Sequence, residues 1–199
     1  MRSHEQIEKS IETLLAAGNT AEAATVVLRE YGGEILGHLM GRLPNEDDAR
    51  EVFAMFTEDL WRAIAHVTIR TSMRAYAYAL ARNAASRYLV RHVRRARRGV
   101  PIGEAGPSDA FVAVARTVTP TYLRTETKTA FQELRAELSE EDRAILALRL
   151  DRQLEWREIA EALSDGETTD LTRESARLRK RFESIRRQLG RLARERGLL

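Results

Sequence analysis

Arginine and tyrosine are concentrated in one stretch of the chain, residues 67–98. This stretch holds nine arginines and no Asp or Glu, and Tyr76, Tyr78 and Tyr88 lie among the arginines. Arginine offers a planar fork that pairs with phosphate, and a tyrosine ring offers a flat face on which an unpaired base stacks. A segment with charge of one sign repels itself unless it meets a polyanion. The composition therefore favours contact with a nucleic acid over a merely solvated basic helix.

A second basic segment ends the chain. Residues 171–199 hold 10 basic and 3 acidic residues, and they follow residues 137–170, which hold 11 acidic and 4 basic residues. The first half has the same order, because residues 1–60 hold 12 acidic and 5 basic residues ahead of the arginine-rich stretch. The chain therefore runs from acidic to basic twice, although its net charge is only +3 at pH 7.

Helical periodicity dominates the sequence, and no segment shows the alternation typical of a strand. We predict an all-α protein of two small helical domains, residues 1–98 and 122–199, joined by a Gly- and Pro-punctuated linker over residues 99–121. Thr20 and Asn45 are the predicted caps of the second and third helices, and Ser72 or Thr71 is the predicted cap of the fourth. The predicted helices are Glu5–Ala16, Ala21–Leu43, Glu46–Ile64, Met73–Arg98, Tyr122–Leu138, Glu140–Leu150, Trp156–Leu163 and Thr172–Arg194.

The fourth predicted helix changes character along one face. Its apolar stripe ends at Tyr88 and continues in the same register as Arg91, Arg95 and Arg98. Burial of unpaired arginines is costly. We therefore expect the distal half of this helix to leave the core and to meet phosphate or solvent.

The segment Trp156–Arg181 outlines a helix-turn-helix: a short helix, a polar turn containing Gly166, and a longer basic helix. The turn of about seven residues exceeds the roughly 3–4 that such turns usually have, so an ordinary helical hairpin with a basic surface remains an alternative. The side chains that lie off the apolar stripe of the second helix, and that could reach bases or phosphates, are Arg173, Glu174, Arg177, Arg179 and Lys180.

The third predicted helix begins with three acidic residues, Glu46, Asp47 and Asp48. Acidic side chains in a first turn suit the helix dipole, and they also suit a protein-docking face. The residues alone leave both interpretations open.

The sequence gives no sign of catalysis. Cysteine is absent, which excludes disulfides and thiolate metal sites, and the four histidines show no ligand spacing. No phosphate-binding glycine loop or nucleophile motif is present. We expect no metal, no cofactor and no small-molecule substrate. No apolar run approaches the roughly 20 residues of a membrane helix, and the N-terminus lacks the apolar core of a signal peptide, so we expect a cytoplasmic protein without membrane insertion.

Several motifs carry a family resemblance. The segment from Glu46 to Phe53 is similar to an acidic "EDxxQEVF" motif, with Arg50 in the place of Gln. The segment from Tyr76 to Asn83 is similar to "WLYxIARN", with Tyr76 in the place of Trp and with Arg87 where Asp is common. Leu138–Leu150 and the "EIA" helix that begins at Trp156 resemble the start of a second domain. The chain thus resembles extracytoplasmic-function sigma factors of the sigma-70 family, over roughly residues 20–98 and 125–190.

The resemblance implies a sigma factor, which is not an enzyme but lends promoter specificity to core RNA polymerase. The implied partners are core RNA polymerase and promoter DNA. An anti-sigma factor is a further candidate partner. The implied contacts with the −10 element are Arg74, Tyr76, Tyr78, Arg82, Asn83, Arg87, Tyr88, Arg91, Arg94 and Arg95. The implied contacts with the −35 element are Arg173, Glu174, Ser175, Arg177, Arg179 and Lys180. The implied polymerase-docking residues are Asp47, Asp48, Glu51, Val52, Phe53, Phe56, Leu60 and Trp61.

Two other functions remain open at this point. A stand-alone helix-turn-helix regulator would use the second domain alone and would leave the arginine–tyrosine stretch without a role. A helical RNA-binding protein would bind RNA with no need of polymerase. Co-purification with core polymerase in the absence of DNA distinguishes a sigma factor from both.

Overall fold

The computed structural model describes residues 3–43, 45–97, 133–164 and 170–198, and for residues 93–97 it describes the helical backbone only. Within these ranges every regular element is helical and no strand occurs, which confirms the all-α prediction. The chain divides into two compact units, with the division at Thr119–Pro120. The predicted linker, residues 99–121, and most of the predicted helix Tyr122–Leu138 lie outside the described residues.

The described part of the first unit contains four long helices. They are α1 (His4–Ala16), α2 (Thr20–Met40), α3 (Glu46–Ala63) and α4 (Met73–Arg97), with a 3-10 turn at Ile64–His66 after α3. Helix α2 packs against the other three, and α3 also packs against α4. The core between them is apolar and includes Ile11, Val27, Ile35, Phe56 and Leu60, all of them fully buried.

The second unit is built around one long helix. A helical turn at residues 133–136 precedes α5 (Glu140–Leu146), which continues as a π-helical turn at Ala147–Asp151. Helix α6 (Trp156–Leu163) and helix α7 (Leu171–Glu195) follow. Helix α7 packs against α5 and α6, and its apolar stripe contributes Leu171, Leu178, Phe182 and Ile185 to the core. The sequence periodicity predicted this stripe.

Short polar side chains define where most helices begin. The Asn45 side chain accepts a hydrogen bond from the Asp48 amide at 2.8 Å, and the Ser72 hydroxyl accepts one from the Ala75 amide at 3.1 Å, so both predicted caps are confirmed. The predicted Thr20 cap is wrong: Asn19 precedes α2, and Thr20 is already its first helical residue. The Asp170 carboxylate accepts from two amides at the start of α7, which therefore begins one residue before the predicted start.

A carboxylate of α1 holds the start of α4. Glu8 accepts hydrogen bonds from the backbone amides of Met73 at 2.7 Å and Arg74 at 3.1 Å. These amides belong to the first turn of a helix, where N–H groups lack partners within the helix and a negative charge is favourable. The Tyr31 hydroxyl donates to the same carboxylate at 2.7 Å. Burial, and then the hydrogen bond to Glu8, raise the pKa of Tyr31, so its hydroxyl stays a neutral donor.

Arg74 adds a second anchor for the start of α4. Its guanidinium donates two hydrogen bonds to Glu34 of α2, at 2.6 and 2.9 Å, and the residue is only 6% exposed. Paired hydrogen bonds between arginine and a carboxylate are strong and fix geometry. The first turn of α4 is therefore attached to both α1 and α2.

We expect Glu8→Ala to lower the free energy of unfolding of the first unit by about 1–3 kcal/mol, because two amides and a buried phenol lose a charged acceptor. Urea denaturation followed by Trp61 fluorescence, in a Trp156→Phe background, measures the change. Glu12→Ala is the matched control, since Glu12 lies exposed on the same helix and its loss is expected to cost at most about 0.5 kcal/mol. Equal losses in the two variants would contradict this role of Glu8.

Candidate nucleic-acid interface

Helix α4 has one face toward the core and one toward solvent. The core face carries small residues, with Ala77, Ala81 and Ala84 fully buried, and small side chains let α4 approach its neighbours closely. Tyr76, Asn83 and Arg87 lie about 100° around the helix from this face, and their spacing of seven and then four residues places them in one row. Asn83 and Arg87 are exposed and Tyr76 is partly exposed. We call this row the α4 solvent face.

The helix leaves its core where the sequence predicted. Among the described residues, Tyr88 is the last buried member of the stripe at 6% exposure, whereas Leu89 and Val90 are 41% and 52% exposed. Arg91 is exposed as well. The side chains of Arg94 and Arg95 lie outside the described residues, although the backbone there is helical. The described part of α4 thus presents both apolar and cationic side chains to solvent beyond Tyr88.

Burial separates the three tyrosines of α4. Tyr78 is 2% exposed, and its ring meets the edge of His38 at a centroid distance of 5.2 Å. Tyr88 is also buried, and its hydroxyl donates to the Asp48 carboxylate of α3. A ring packed in this way has no face available to a base, so the structure does not support Tyr78 and Tyr88 as stacking residues. Tyr76 is the one of the three that solvent reaches.

The arginines of α4 differ in whether a carboxylate is paired with them and in how far they are exposed. Arg74 is buried against Glu34, and this pairing argues against the predicted phosphate contact. Arg87 forms a salt bridge with Asp59 of α3 while its side chain stays 44% exposed. The positive charge of Arg87, at the position where the resembled family often has Asp, is therefore partly neutralised within the unit. Arg91 is exposed, which makes it a candidate for phosphate contact, and Arg82 is partly exposed.

Helix α3 buries several of the residues that the family resemblance assigned to polymerase docking. Val52, Phe56 and Leu60 are fully buried and Phe53 is 9% exposed, because these residues form the packing stripe toward α2 and α4. They support the helix and do not face a partner. The Asp48 carboxylate accepts hydrogen bonds from the Asn45 side-chain amide and from the Tyr88 hydroxyl.

The exposed side of α3 is acidic and ends in an aromatic residue. Asp47, Glu51, Glu58 and Trp61 lie along one side of the helix, and all four are exposed. Trp61 is 44% exposed, and an exposed tryptophan is the type of residue that anchors protein interfaces. We call these four residues the α3 acidic face.

The first half of α7 carries the candidate duplex-reading side chains. Arg173, Arg179 and Lys180 are exposed, and none of them forms a salt bridge with any residue that the structure describes. Arg177 pairs with Glu174 at 2.7 Å and with Glu141 of α5 at 3.2 Å, and these hydrogen bonds raise its pKa. Ser175 is buried, and its hydroxyl donates to the Thr172 carbonyl at 2.9 Å, so Ser175 does not face a ligand.

A buried carboxylate of α5 fixes the position of α7. Arg181 donates two hydrogen bonds to Asp142, at 2.6 and 2.7 Å, and the Asp142 side chain is only 4% exposed. Burial by itself raises the pKa of Asp142, but the hydrogen bonds of Arg181 and Ser139 and the Arg181 charge together hold that pKa below its usual value. The pair therefore joins the acidic first turn of α5 to the basic helix.

An aromatic contact holds the other side of α7. The Trp156 ring at the start of α6 meets the edge of Phe182 of α7 at 5.3 Å. The Arg149 guanidinium lies 5.1 Å from the centre of the Trp156 ring and donates to the Leu154 carbonyl at 2.7 Å. The connection from α6 to α7 is described only at its ends, Ser164 and Asp170, so the helix-turn-helix stays a prediction.

The part of the chain that the structure describes contains no group of three or more His, Cys, Asp or Glu side chains placed to hold a metal ion. No helix within the described residues has the length and apolar character needed to cross a membrane. Comparisons with family models, with characterised proteins and with solved structures give no match to this chain.

Tyr76→Ala is expected to weaken binding of single-stranded DNA by about 1–3 kcal/mol, because it removes the one partly exposed ring among the three tyrosines of α4. Fluorescence anisotropy with a labelled single-stranded oligonucleotide measures the affinity. Tyr78→Phe is the control: it retains a buried ring and is expected to leave the affinity unchanged. Stacking at Tyr76 is refuted if Tyr76→Ala binds as tightly as the wild type.

Acidification is expected to destabilise the second unit through Asp142. Because the pKa of Asp142 is lowered in the folded state, its contribution is complete above the unfolded value of about 3.9 and is lost as the pH falls through the lower folded value. At pH 7 Asp142→Asn is expected to cost about 1–3 kcal/mol and to flatten the acid dependence. Urea denaturation followed by Trp156 fluorescence, in a Trp61→Phe background, checks both effects.

Glu183→Gln provides the comparison for Asp142→Asn. Glu183 pairs with Arg186 on the exposed surface of α7, and exposed pairs contribute at most about 1 kcal/mol. If the two variants have the same stability and the same pH profile, Asp142 does not hold α7 as described.

Proposed function

We propose that this chain is a sigma factor of the extracytoplasmic-function type, which directs core RNA polymerase to promoters. The observation that carries the proposal is the solvent face of α4. It is an acid-free helical surface, anchored at its first turn by Glu8 and Glu34, with Tyr76, Asn83 and Arg87 outside the core and the exposed Arg91 beyond them. A stacking ring, an amide and arginines are the groups that bind unpaired bases and their phosphates.

In this proposal the first unit holds the melted −10 strand. Tyr76 stacks on an unpaired base, and Asn83 lies in the same row, where its amide can hydrogen-bond a base edge or a phosphate. Arg82, Arg91, Arg94 and Arg95 contact phosphates, although the last two side chains lie outside the described residues. Arg74, Tyr78 and Tyr88 support the helix from within.

Helix α3 docks on the polymerase through its acidic face. Two contacts then link docking to DNA binding, because Asp48 and Asp59 of α3 bond to Tyr88 and Arg87 of α4. The helix that meets the polymerase is thereby attached directly to the helix that meets DNA. This attachment gives Arg87 a structural role in addition to its charge.

The second unit reads duplex DNA at the −35 element with the first half of α7. Arg173, Arg179 and Lys180 project from a helix that Asp142 and Trp156 hold in place. Arginine pairs with guanine edges in the major groove, and basic residues also contact phosphates. Glu141 and Glu174 orient Arg177 beside them.

The proposal predicts that the chain binds bacterial core RNA polymerase without DNA and that core polymerase plus the chain produces specific transcripts from genomic DNA. Affinity capture with the tagged chain tests the first statement, and run-off transcription tests the second. A stand-alone regulator would bind duplex DNA without retaining polymerase. Absence of both polymerase capture and specific transcripts overturns the proposal.

Trp61→Ala combined with Asp47→Lys and Glu51→Lys is expected to lower affinity for core polymerase by at least about tenfold, since truncation of an interface aromatic alone commonly costs more than about 1 kcal/mol. Quantitative capture of core polymerase measures the change. The control is Glu5→Lys with Glu12→Lys, which makes the same charge change at exposed positions of α1. If the control loses as much affinity, the α3 acidic face is not the docking surface.

A further inference from the structure

Four basic residues on α7 recur at every seventh position: Arg173, Lys180, Arg187 and Arg194. A seven-residue step returns nearly to the same side of an α-helix, with a drift of about 20° per step. All four side chains are exposed, and they lie opposite the apolar stripe that begins at Leu171. At 1.5 Å per residue the row extends for about 31 Å. We call this row the cationic ridge.

Salt bridges divide the basic residues of α7 according to their position. The arginines that lie off the ridge are mostly bonded to carboxylates, and Arg179 is the exception. The described salt bridges are Arg177 to Glu141 and Glu174, Arg181 to Asp142, Arg186 to Glu183, and Arg191 to Glu195.

No residue of the cationic ridge forms a salt bridge within the described part of the chain. Arg187 donates only to the Glu183 carbonyl, at a long 3.4 Å. A solvated surface helix that mixes both charges usually pairs them at three- or four-residue spacing. The acidic residues of this helix instead form salt bridges with arginines that lie off the ridge. The positive charge of the ridge is therefore not neutralised by a salt bridge along α7.

We infer that Arg187 and Arg194 form a second phosphate-binding site, which contacts the backbone of duplex DNA beyond the segment that α7 places in the groove. This inference rests on the proposed role of α7 in duplex binding. The major groove is about 12 Å wide, and the step from Arg173 to Lys180 already spans about 10.5 Å of helix. Arg187 then reaches the rim of the groove and Arg194 lies past it, where phosphates are the available ligands.

A phosphate site of this kind has a defined signature. It adds affinity equally on all sequences, and each phosphate contact adds about 0.9 to the slope of log affinity against log salt. Removal of two contacts therefore lowers the slope by about 1.8. Between 50 and 200 mM salt the wild type is then expected to lose about tenfold more affinity than the variant.

The test compares two double variants of the full chain on a labelled duplex DNA of arbitrary sequence. Arg187→Gln with Arg194→Gln removes the distal ridge and is expected to lower the salt slope by about 1.8. Arg186→Gln with Arg191→Gln makes the same charge change on the same part of the helix, but at paired positions, and is expected to change the slope by less than half as much. Arg187→Lys with Arg194→Lys keeps the charge and is expected to keep the slope. Circular dichroism verifies that each variant is folded.

Three results overturn the inference: no binding of duplex DNA by the wild type, an unchanged salt slope in the ridge variant, or an equal loss of slope in the ridge and control variants. If the ridge variant keeps its DNA slope but loses affinity for core polymerase, the ridge is assigned to a protein partner. Failure of the proposed function is distinguishable, because a chain that recruits no polymerase can still show a ridge-dependent slope on duplex DNA.

Discussion

The pairing of arginine with carboxylate is the interaction on which the rest of this structure depends. A guanidinium that donates two hydrogen bonds to a carboxylate has part of its charge neutralised and fewer donors left for phosphate, and charge-assisted pairs of this kind are strong. Arg74 with Glu34 and Arg181 with Asp142 are such pairs. They fix α4 and α7 in their units. Arg74, at 6% exposure, is thereby withdrawn from the surface of the first unit, whereas Arg181 stays about half exposed beside its carboxylate partner.

The sequence predicted the elements well and the candidate site less well. Periodicity located the helices and the buried stripe of α7, because burial of an apolar face repeats with the helical turn. The residues that hold the helices were missed. Glu8 lies far along the chain from the amides that it caps, and Glu34 lies far from Arg74. No local sequence pattern predicts a contact between residues so distant in the chain. Charge alone also could not distinguish Arg74, which is buried, from Arg91, which is exposed.

The sequence also could not tell which aromatic and apolar residues of a helix are buried and which are exposed. Tyr76 and Tyr78 are two positions apart in an acid-free helix, yet only Tyr76 has access to solvent, because a two-residue step turns the side chain by about 200°. Motif resemblance likewise assigned Val52, Phe53, Phe56 and Leu60 to docking, whereas they form the core under the α3 acidic face. A motif identifies a helix, and packing decides which of its residues a partner can touch.

The central claim is that α4 holds an opened promoter strand once the polymerase has been recruited. Permanganate footprinting tests it most directly, since permanganate oxidises unpaired thymines. On a promoter identified by run-off transcription, the account predicts reactive thymines at the −10 element only when both the chain and core polymerase are present, with much weaker reactivity for Tyr76→Ala. Protection of an unmelted duplex by the chain alone, with no reactive thymines when polymerase is added, would contradict the account.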